Sequence, residues 1–270
     1  MIKIIDADFV QPLKTTMKTF YIIIATLLAG YLTTACTTDP DPDPEPTPFP
    51  SQKGYASGKV TDTQGRPLGN AEIVVNNSQF FNNNILGRTD ANGKYKLLLT
   101  PGSWYVRGTV KVQYDNQAYV LDLHPETEGA FAGTEGAVRN LTWKLSGAKP
   151  TEFGGNGFYG GKVEVYGDMT GDFFDTGQVE LTLEPTLPLI DGSEGQKIVR
   201  QLSGDMIGQT DDIPIGRYKI TARYMPTGQN LKLRLRNKEQ SYGQIVNSSF
   251  EPAYSGATGN YKLTLEARLP

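Results

Sequence analysis

The sequence predicts an all-β protein: two β-sandwich domains that follow a signal peptide and a disordered Pro/Asp tether. Three observations carry this. Short runs of alternating apolar and polar residues recur from Gly58 to the end of the chain, the period of a strand with one buried face. Turn formers punctuate those runs; the 270 residues include 30 Gly and 17 Pro. An apolar leader and a Pro/acid run set the first 53 residues apart from the rest. The expected segments are 1–35, signal peptide; 36–53, lipid anchor and acidic Pro-rich linker; 54–147, a first sandwich; and 148–270, a second sandwich-like domain.

The leader starts best at Met17-Lys18. A short basic region precedes the apolar run Tyr21–Leu32, and the small residues Thr33-Thr34-Ala35 lie before Cys36. That is the order of a cleaved secretory signal, and the apolar run is short for a membrane span of about 20 residues. A cysteine in this place resembles the lipidation site of bacterial lipoproteins. Leu32 lies four residues before Cys36 rather than three, a spacing that resembles lipoproteins of Bacteroidetes-type bacteria. Several acyl chains on one thiol would give stable anchoring where a single chain is marginal. Thr37–Pro50 then alternates Pro with Asp39, Asp41, Asp43 and Glu45. Alternating Pro favours an extended, semi-rigid spacer. An acidic run after the lipid cysteine resembles a surface-export signal of the same bacterial group; as composition alone it is also a plain tether. Its Pro-locked carboxylates cannot wrap a calcium ion.

The stretch Gly58–Val110 is the most regular. Lys59–Thr61 is a short strand, and Asp62-Thr63-Gln64-Gly65 a turn in which Asp bonds its own backbone. Pro67 belongs at a strand edge. Ala71, Ile73 and Val75 alternate with Glu72 and Val74. Phe80–Gly87 is Asn-rich and predicts a loop. Asp90-Ala91-Asn92-Gly93 is the strongest hairpin signal. Tyr95, Leu97 and Leu99 then point inward, Pro101-Gly102 turns the chain, and Trp104, Val106 and Val110 share a face. The residues Gly58, Val60, Asp62, Gly65, Pro67, Leu68, Ala71 and Val75, with Thr89, Asp90, Gly93, Tyr95, Leu97, Pro101, Gly102 and Tyr105, resemble the carboxypeptidase regulatory-like family. The resemblance implies a prealbumin-like, seven-stranded antiparallel sandwich, used as an accessory module of secreted or outer-membrane proteins. The fold alone does not imply an activity.

Lys111–Tyr114, the turn Asp115-Asn116 and Gln117–Leu123 predict a hairpin. His124-Pro125 follows, with His124 expected in a surface loop. Gly129–Gly136 reads as a flexible loop, Asn140–Leu145 as the closing strand and Gly147–Pro150 as a linker. Beyond it, Lys162–Tyr166 and Gln178–Leu183 alternate cleanly, and Pro185–Gly195 is a loop. Ile213–Ala222 echoes Thr100–Val106: a Pro/Gly turn feeds a Tyr-containing strand, too short an echo to prove a repeat. Leu231, Leu233 and Leu235 oppose Lys232, Arg234 and Arg236. Tyr261, Leu263 and Leu265 end the chain in the same manner.

Several function classes are excluded by composition. The net charge is −3, and four acids sit in the tether, so the folded part is near neutral. A nucleic-acid binder needs a basic surface. Cys36 and His124 are the single Cys and His, which rules out an intramolecular disulfide and leaves Cys/His zinc clusters and Ser/His/Asp triads without support. The two metal-binding histidines of a carboxypeptidase are likewise missing. Gly129–Gly136 is not followed by the Lys-Ser/Thr of a phosphate loop. A hydrolase using carboxylates alone would need two acids facing across a cleft, and the acids here fall in turns or on outward strand positions. No catalytic residue, cofactor or metal site is expected.

The expectation is a non-enzymatic lipoprotein of the outer membrane or cell surface, anchored through Cys36, with a binding or scaffolding role. Its partners would be the membrane and either a polysaccharide or an outer-membrane protein. The alternative is a glycan-binding module serving a surface polysaccharide uptake system, with exposed aromatics in Phe80–Gly87 or Tyr114–Tyr119. Candidate ligand contacts are Trp104, Trp143, Tyr114, Tyr119, Lys232, Arg234 and Arg236. Tryptophans at alternating strand positions are ordinarily core. The basic stripe suits an acidic glycan or a phosphate, and equally the charged outer face of an edge strand that resists aggregation.

Overall fold

The computed structural model describes residues 50–151 and 156–270. The expected signal peptide, Cys36 and most of the expected tether lie outside the described residues. Pro48–Pro270 is one compact unit, and its strands fall into two groups along the chain.

The first group is one continuous sheet folded over on itself. Its strands are β1 Tyr55–Thr61, β2 Glu72–Asn77, β3 Asn84–Arg88, β4 Lys94–Leu98, β5 Ser103–Tyr114, β6 Gln117–Pro125, β7 Phe131–Ala132, β8 Ala137–Val138 and β9 Leu141–Trp143. Seven follow in the order β3-β2-β5-β6-β9-β1-β4, while β7 adds to β5 and β8 to β1. Each principal strand turns its alternate apolar residues inward. Val60, Ile73, Val75, Trp104, Val106, Leu121, Leu123 and Leu141 fill the space between the layers. The sheet ends meet where Gly87 of β3 lies against Leu97 of β4, a place where a side chain on Gly87 would clash.

The hairpin β5–β6 forms as expected, its Asp115 and Asn116 both left-handed (φ 46° and 62°), the geometry that matches the strand twist. Other expectations need correction. Phe80–Gly87 is a loop only in its first part: Asn84–Arg88 is the edge strand β3, paired with β2 through Val74↔Leu86 and Asn76↔Asn84. Its outward Leu86 hides the alternation that would have revealed it. The Asp90–Gly93 turn is tight, and Asp90 Oδ1 accepts from the Asn92 and Lys94 amides. It joins no paired hairpin, since β3 pairs with β2 and β4 with β1. His124 lies in β6 rather than in a loop, and Gly129–Gly136 contributes β7.

The second group is a sandwich of two five-stranded sheets. One has the order β13-β10-β19-β16 with β18 on β19; the other has β12-β11-β14-β15 with β17 on β14. The strands are β10 Gly161–Gly167, β11 Val179–Pro185, β12 Ile198–Gln201, β13 Ile207–Ile213, β14 Arg217–Tyr224, β15 Gln229–Asn230, β16 Lys232–Leu235, β17 Val246–Ser249, β18 Glu251–Pro252 and β19 Tyr261–Arg268. Val163, Val165, Leu263 and Leu265 of one sheet meet Leu181, Leu183, Ile220 and Ala222 of the other in the core. The sequence echo has a structural counterpart. The Trp104 indole donates to the Thr100 carbonyl at 2.9 Å, and the Tyr218 hydroxyl to the Pro214 carbonyl at 2.8 Å. In both sandwiches a fully buried ring thus ties down the turn four residues before it.

The two sandwiches join through polar bonds around buried rings. The Tyr119 hydroxyl donates to the Phe250 carbonyl at 2.7 Å, and the Val120 amide donates to the Tyr261 hydroxyl at 2.6 Å. Asp115 takes Ser249 Oγ at 2.5 Å and the Arg217 guanidinium at 2.7 Å. Those two bonds hold its carboxyl below the usual range. Thr63 donates to Asp191, and the Gly147 amide to Asp212. The stretch Gly147–Pro150, expected as a linker, is docked: Lys149 is buried. A charged residue in a Pro/Gly context reads as solvated, and its partners are 27 and 110 residues away.

Candidate binding groove

A groove of about 460 Å³ runs along the outer face of β2, β5 and β6. Strand alternation builds this wall. With Ile73, Val75, Val106 and Val110 turned inward, Val74, Asn76, Tyr105, Arg107 and Thr109 face out. Register brings them into rows: Asn76 beside Tyr105, Val74 beside Arg107, and Thr109 between Glu72 and Asp122. The opposite wall comes from Thr127–Gly129, Lys149-Pro150, Asn156, Tyr159, Thr258 and Asn260.

The groove is braced by a buried ion pair. Lys149 Nζ donates to Asp122 Oδ2 at 2.7 Å and to the Gly259 carbonyl at 2.8 Å. The lysine side chain is 7% exposed and the aspartate 35%. Tyr159 covers the pair, its ring 5.9 Å from Nζ. The Tyr159 hydroxyl lies 3.1 Å from His124 Nδ1. Burial, followed by the field of Asp122, pushes the Tyr159 phenol well above its ordinary value, so it stays protonated. Burial, then the Lys144 ammonium, lowers the His124 pKa. His124 is therefore a neutral partner of Tyr159 at neutral pH.

Toward the open side, the Arg107 guanidinium lies 5.2 Å from the Tyr105 ring. Asn76 donates through Nδ2 to Asn84 Oδ1 at 2.6 Å, while its own Oδ1 is buried and accepts no hydrogen bond. Amides, hydroxyls, a guanidinium and an aromatic ring suit a hydroxyl-rich ligand. Of the acids lining the groove, Asp122 is taken by Lys149. Among the described residues, no cluster of three or more His, Cys, Asp or Glu could hold a metal.

The residues singled out in the sequence lie elsewhere. Trp104 (1% exposed) and Trp143 (7%) are core, as alternation at a buried face dictates. Tyr119 is fully buried at the junction, and Tyr114 is bound there, donating to the Pro188 carbonyl and accepting from the Arg217 amide. Trp104, Trp143 and Tyr119 are closed to a ligand, and Tyr114 is half-buried with its hydroxyl occupied. Lys232, Arg234 and Arg236 do share the outer face of the second sandwich. Arg234 pairs with Glu266 and lies 4.4 Å from the Tyr242 ring; Arg236 lies 3.5 Å from the Tyr166 ring. Arg236 alone of the three lines a second, polar cleft of about 300 Å³. Cys36 is outside the described residues. Tyr105 and Arg107 were within reach of the sequence, as the outward partners of Trp104 and Val106. Lys149, Tyr159 and Asn260 carried no local signal.

No family model matches the chain, and no curated protein matches it. Among solved structures, the TIE protein of Bacillus anthracis is similar at 16% identity and a TM-score of 0.30, covering 80% of this chain. This chain spans 34% of that protein's length. The C-terminal fragment of the pilus adhesin SpaC from Lactobacillus rhamnosus GG is similar at 9% identity and a TM-score of 0.24, over 81% of this chain and 98% of that one. A B repeat of the Staphylococcus aureus collagen-binding surface protein is similar at 10% identity and 0.23, over 80% and 98%. At these identities and scores the likenesses say nothing about what this chain binds.

Proposed function

We propose that this chain is a non-enzymatic lipoprotein of the outer membrane or cell surface that binds a glycan in the groove between its sandwiches. The carrying observation is the groove itself: a preformed cleft lined by Tyr105, Arg107, Asn76, Thr109 and Asn260. Pockets of this size with a few convergent polar groups are the ordinary form of a small-ligand site. The leader, Cys36 and the acidic tether support the anchoring part, and the residues that resemble the carboxypeptidase regulatory-like family suit an accessory rather than a catalytic module.

The untethered fragment 50–270 is expected to bind specific glycans on an array that includes acidic polysaccharides. Tyr105→Ala should weaken that binding roughly tenfold, the equivalent of about 1.4 kcal/mol. Binding that is unchanged in Tyr105→Ala would place the ligand outside the groove, and silence across the array would remove the glycan. For the anchor, Cys36→Ala should shift the protein from the membrane to the soluble fraction; retention of that variant in the membrane would refute lipidation at this residue.

A second reading, scaffolding toward a protein, is favoured by one observation. At the end of the second sandwich away from the junction, Met169 (94%), Phe173 (93%) and Met206 (88%) stand almost fully exposed on loops. Flexible thioethers and aromatic rings are characteristic of adaptable protein-binding surfaces.

A further inference from the structure

The turn Ser78–Asn83 presents two phenylalanines to solvent, Phe80 at 64% and Phe81 at 102% exposure. It is built to do so. Asn77 Oδ1 accepts from the Gln79 and Phe80 amides at 2.9 and 3.0 Å, and the Asn77 amide donates to the Asn83 carbonyl at 2.9 Å. Ser78 is tied to Ser103 by its amide at 2.8 Å and by its hydroxyl at 2.7 Å. Two adjacent aromatic rings held outward on a braced turn await a partner.

The place of the turn in the fold says which partner. Asn77 pairs with Trp104, Ser103 with Ala132, and Tyr55 with Leu98. The Phe turn, the 98–103 turn and the 132–136 loop therefore share one end of the first sandwich with Pro50–Tyr55, where the chain arrives from the tether. Leu98, 66% exposed, adds to the apolar surface there. The charged residues of these segments are Lys53 and Glu135, which face each other at 3.9 Å, and Lys96 stands beside them over the Tyr55 ring at 4.4 Å. The exposed apolar loops of the second sandwich contrast with this. The segments 168–178, 202–206 and 225–228 carry Asp168, Asp172, Asp175 and Asp205 and no Lys or Arg of their own, with Arg234 of β16 acting on Asp168 alone of the four. An anionic head-group layer repels that set and accepts the first.

We infer that the Phe80–Phe81 turn seats in the head-group region of the bilayer to which the chain is anchored, directing the second sandwich away from the membrane. Phenylalanines on the apolar side of interfacial segments bury at the boundary between head groups and acyl chains. The inference rests on the lipid-anchor reading above. The 14 residues from Thr37 to Pro50 span roughly 40 Å when extended, and a tether of that length keeps the end at roughly millimolar effective concentration. A contact too weak to retain a free protein then suffices to orient a tethered one.

The test replaces the acyl anchor, so that it does not depend on Cys36. Residues 37–270 with an N-terminal histidine tag are bound to vesicles of phosphatidylethanolamine and phosphatidylglycerol that contain a nickel-chelating lipid. Phe81→Trp and, separately, Phe173→Trp add one indole to the buried Trp104 and Trp143. With brominated lipid, the emission added by Phe81→Trp should be lost, and that added by Phe173→Trp retained. Equal emission from Phe81→Trp on brominated and unbrominated vesicles overturns the inference, as does quenching of Phe173→Trp instead. Failure of the anchor reading shows separately, as membrane retention of Cys36→Ala.

Discussion

Gly58→Ala is expected to destabilise the folded chain by about 3 kcal/mol, the upper range for forcing an extra methyl into a packed site. A Cβ on Gly58 would lie 2.1 Å from the Arg139 carbonyl oxygen, 2.7 Å from its carbon and 3.0 Å from the Tyr95 ring. None of these can give way cheaply. The same carbonyl accepts the Tyr95 hydroxyl at 2.5 Å, and the Arg139 amide donates to the Ser57 carbonyl at 2.8 Å. Moving the Arg139 backbone would strip a buried phenol of its acceptor. It would also pull on the parallel pairing of β8 with β1 at Ser57↔Val138. Urea denaturation of Gly58→Ala beside Gly171→Ala checks this. Gly171 has no neighbour closer than 3.9 Å, so its variant should stay within about 0.5 kcal/mol of the parent. Equal midpoints for the two variants would contradict the steric account.

Gly58 also shows what was legible in the chain. Its place in a spaced set of Gly, Asp and Pro residues carried the resemblance that implied a seven-stranded sandwich; the folded sheet has nine strands, seven along its main path and the short β7 and β8 beside it. Alternation located the buried faces at Ile73/Val75, Trp104/Val106, Leu231/Leu233 and Leu263/Leu265. It failed where the second observer of a strand was missing from local sequence. β3 is an edge strand with an exposed Leu86 on its outer face, so its pattern looked irregular. β8 has two residues. Alternation says which face is buried, not what covers the other one. The groove is made where the outward set of β5 meets segments near Lys149 and Asn260, and that meeting depends on how two sandwiches dock. The same blindness explains Tyr114 and Tyr119. In a hairpin they read as exposed aromatics, and the second sandwich covers them through Pro188 and Phe250. Tyr105, two residues before Arg107 on the outward face, was the one groove aromatic that alternation alone could have proposed.

Asp122→Ala should cost about 2–3 kcal/mol, because it leaves the Lys149 ammonium buried without its counter-charge. After the substitution Nζ keeps the Gly259 carbonyl at 2.8 Å and the Tyr159 ring at 5.9 Å, neither of which neutralises a full charge. The aspartate is about a third exposed, so water enters more easily on its side; this places the loss below that of a wholly buried pair. Lys149→Met should cost less, roughly 1 kcal/mol, since the stranded carboxylate can be solvated and the methionine keeps the stem's packing. In Asp122→Ala/Lys149→Met no buried charge remains, and the double variant should be more stable than Asp122→Ala alone. Thermal denaturation of the four proteins closes the cycle, and the coupling between the two sites should exceed about 1 kcal/mol. Additive losses would mean that the pair does not act as a unit. The same proteins connect stability to the groove. Lys149 ties the segment after the first sandwich to Gly259 of the second. If the groove is the binding site, Asp122→Ala should therefore weaken glycan binding even at temperatures where the protein remains folded. The double variant should recover part of it, because the walls can close again over an uncharged contact.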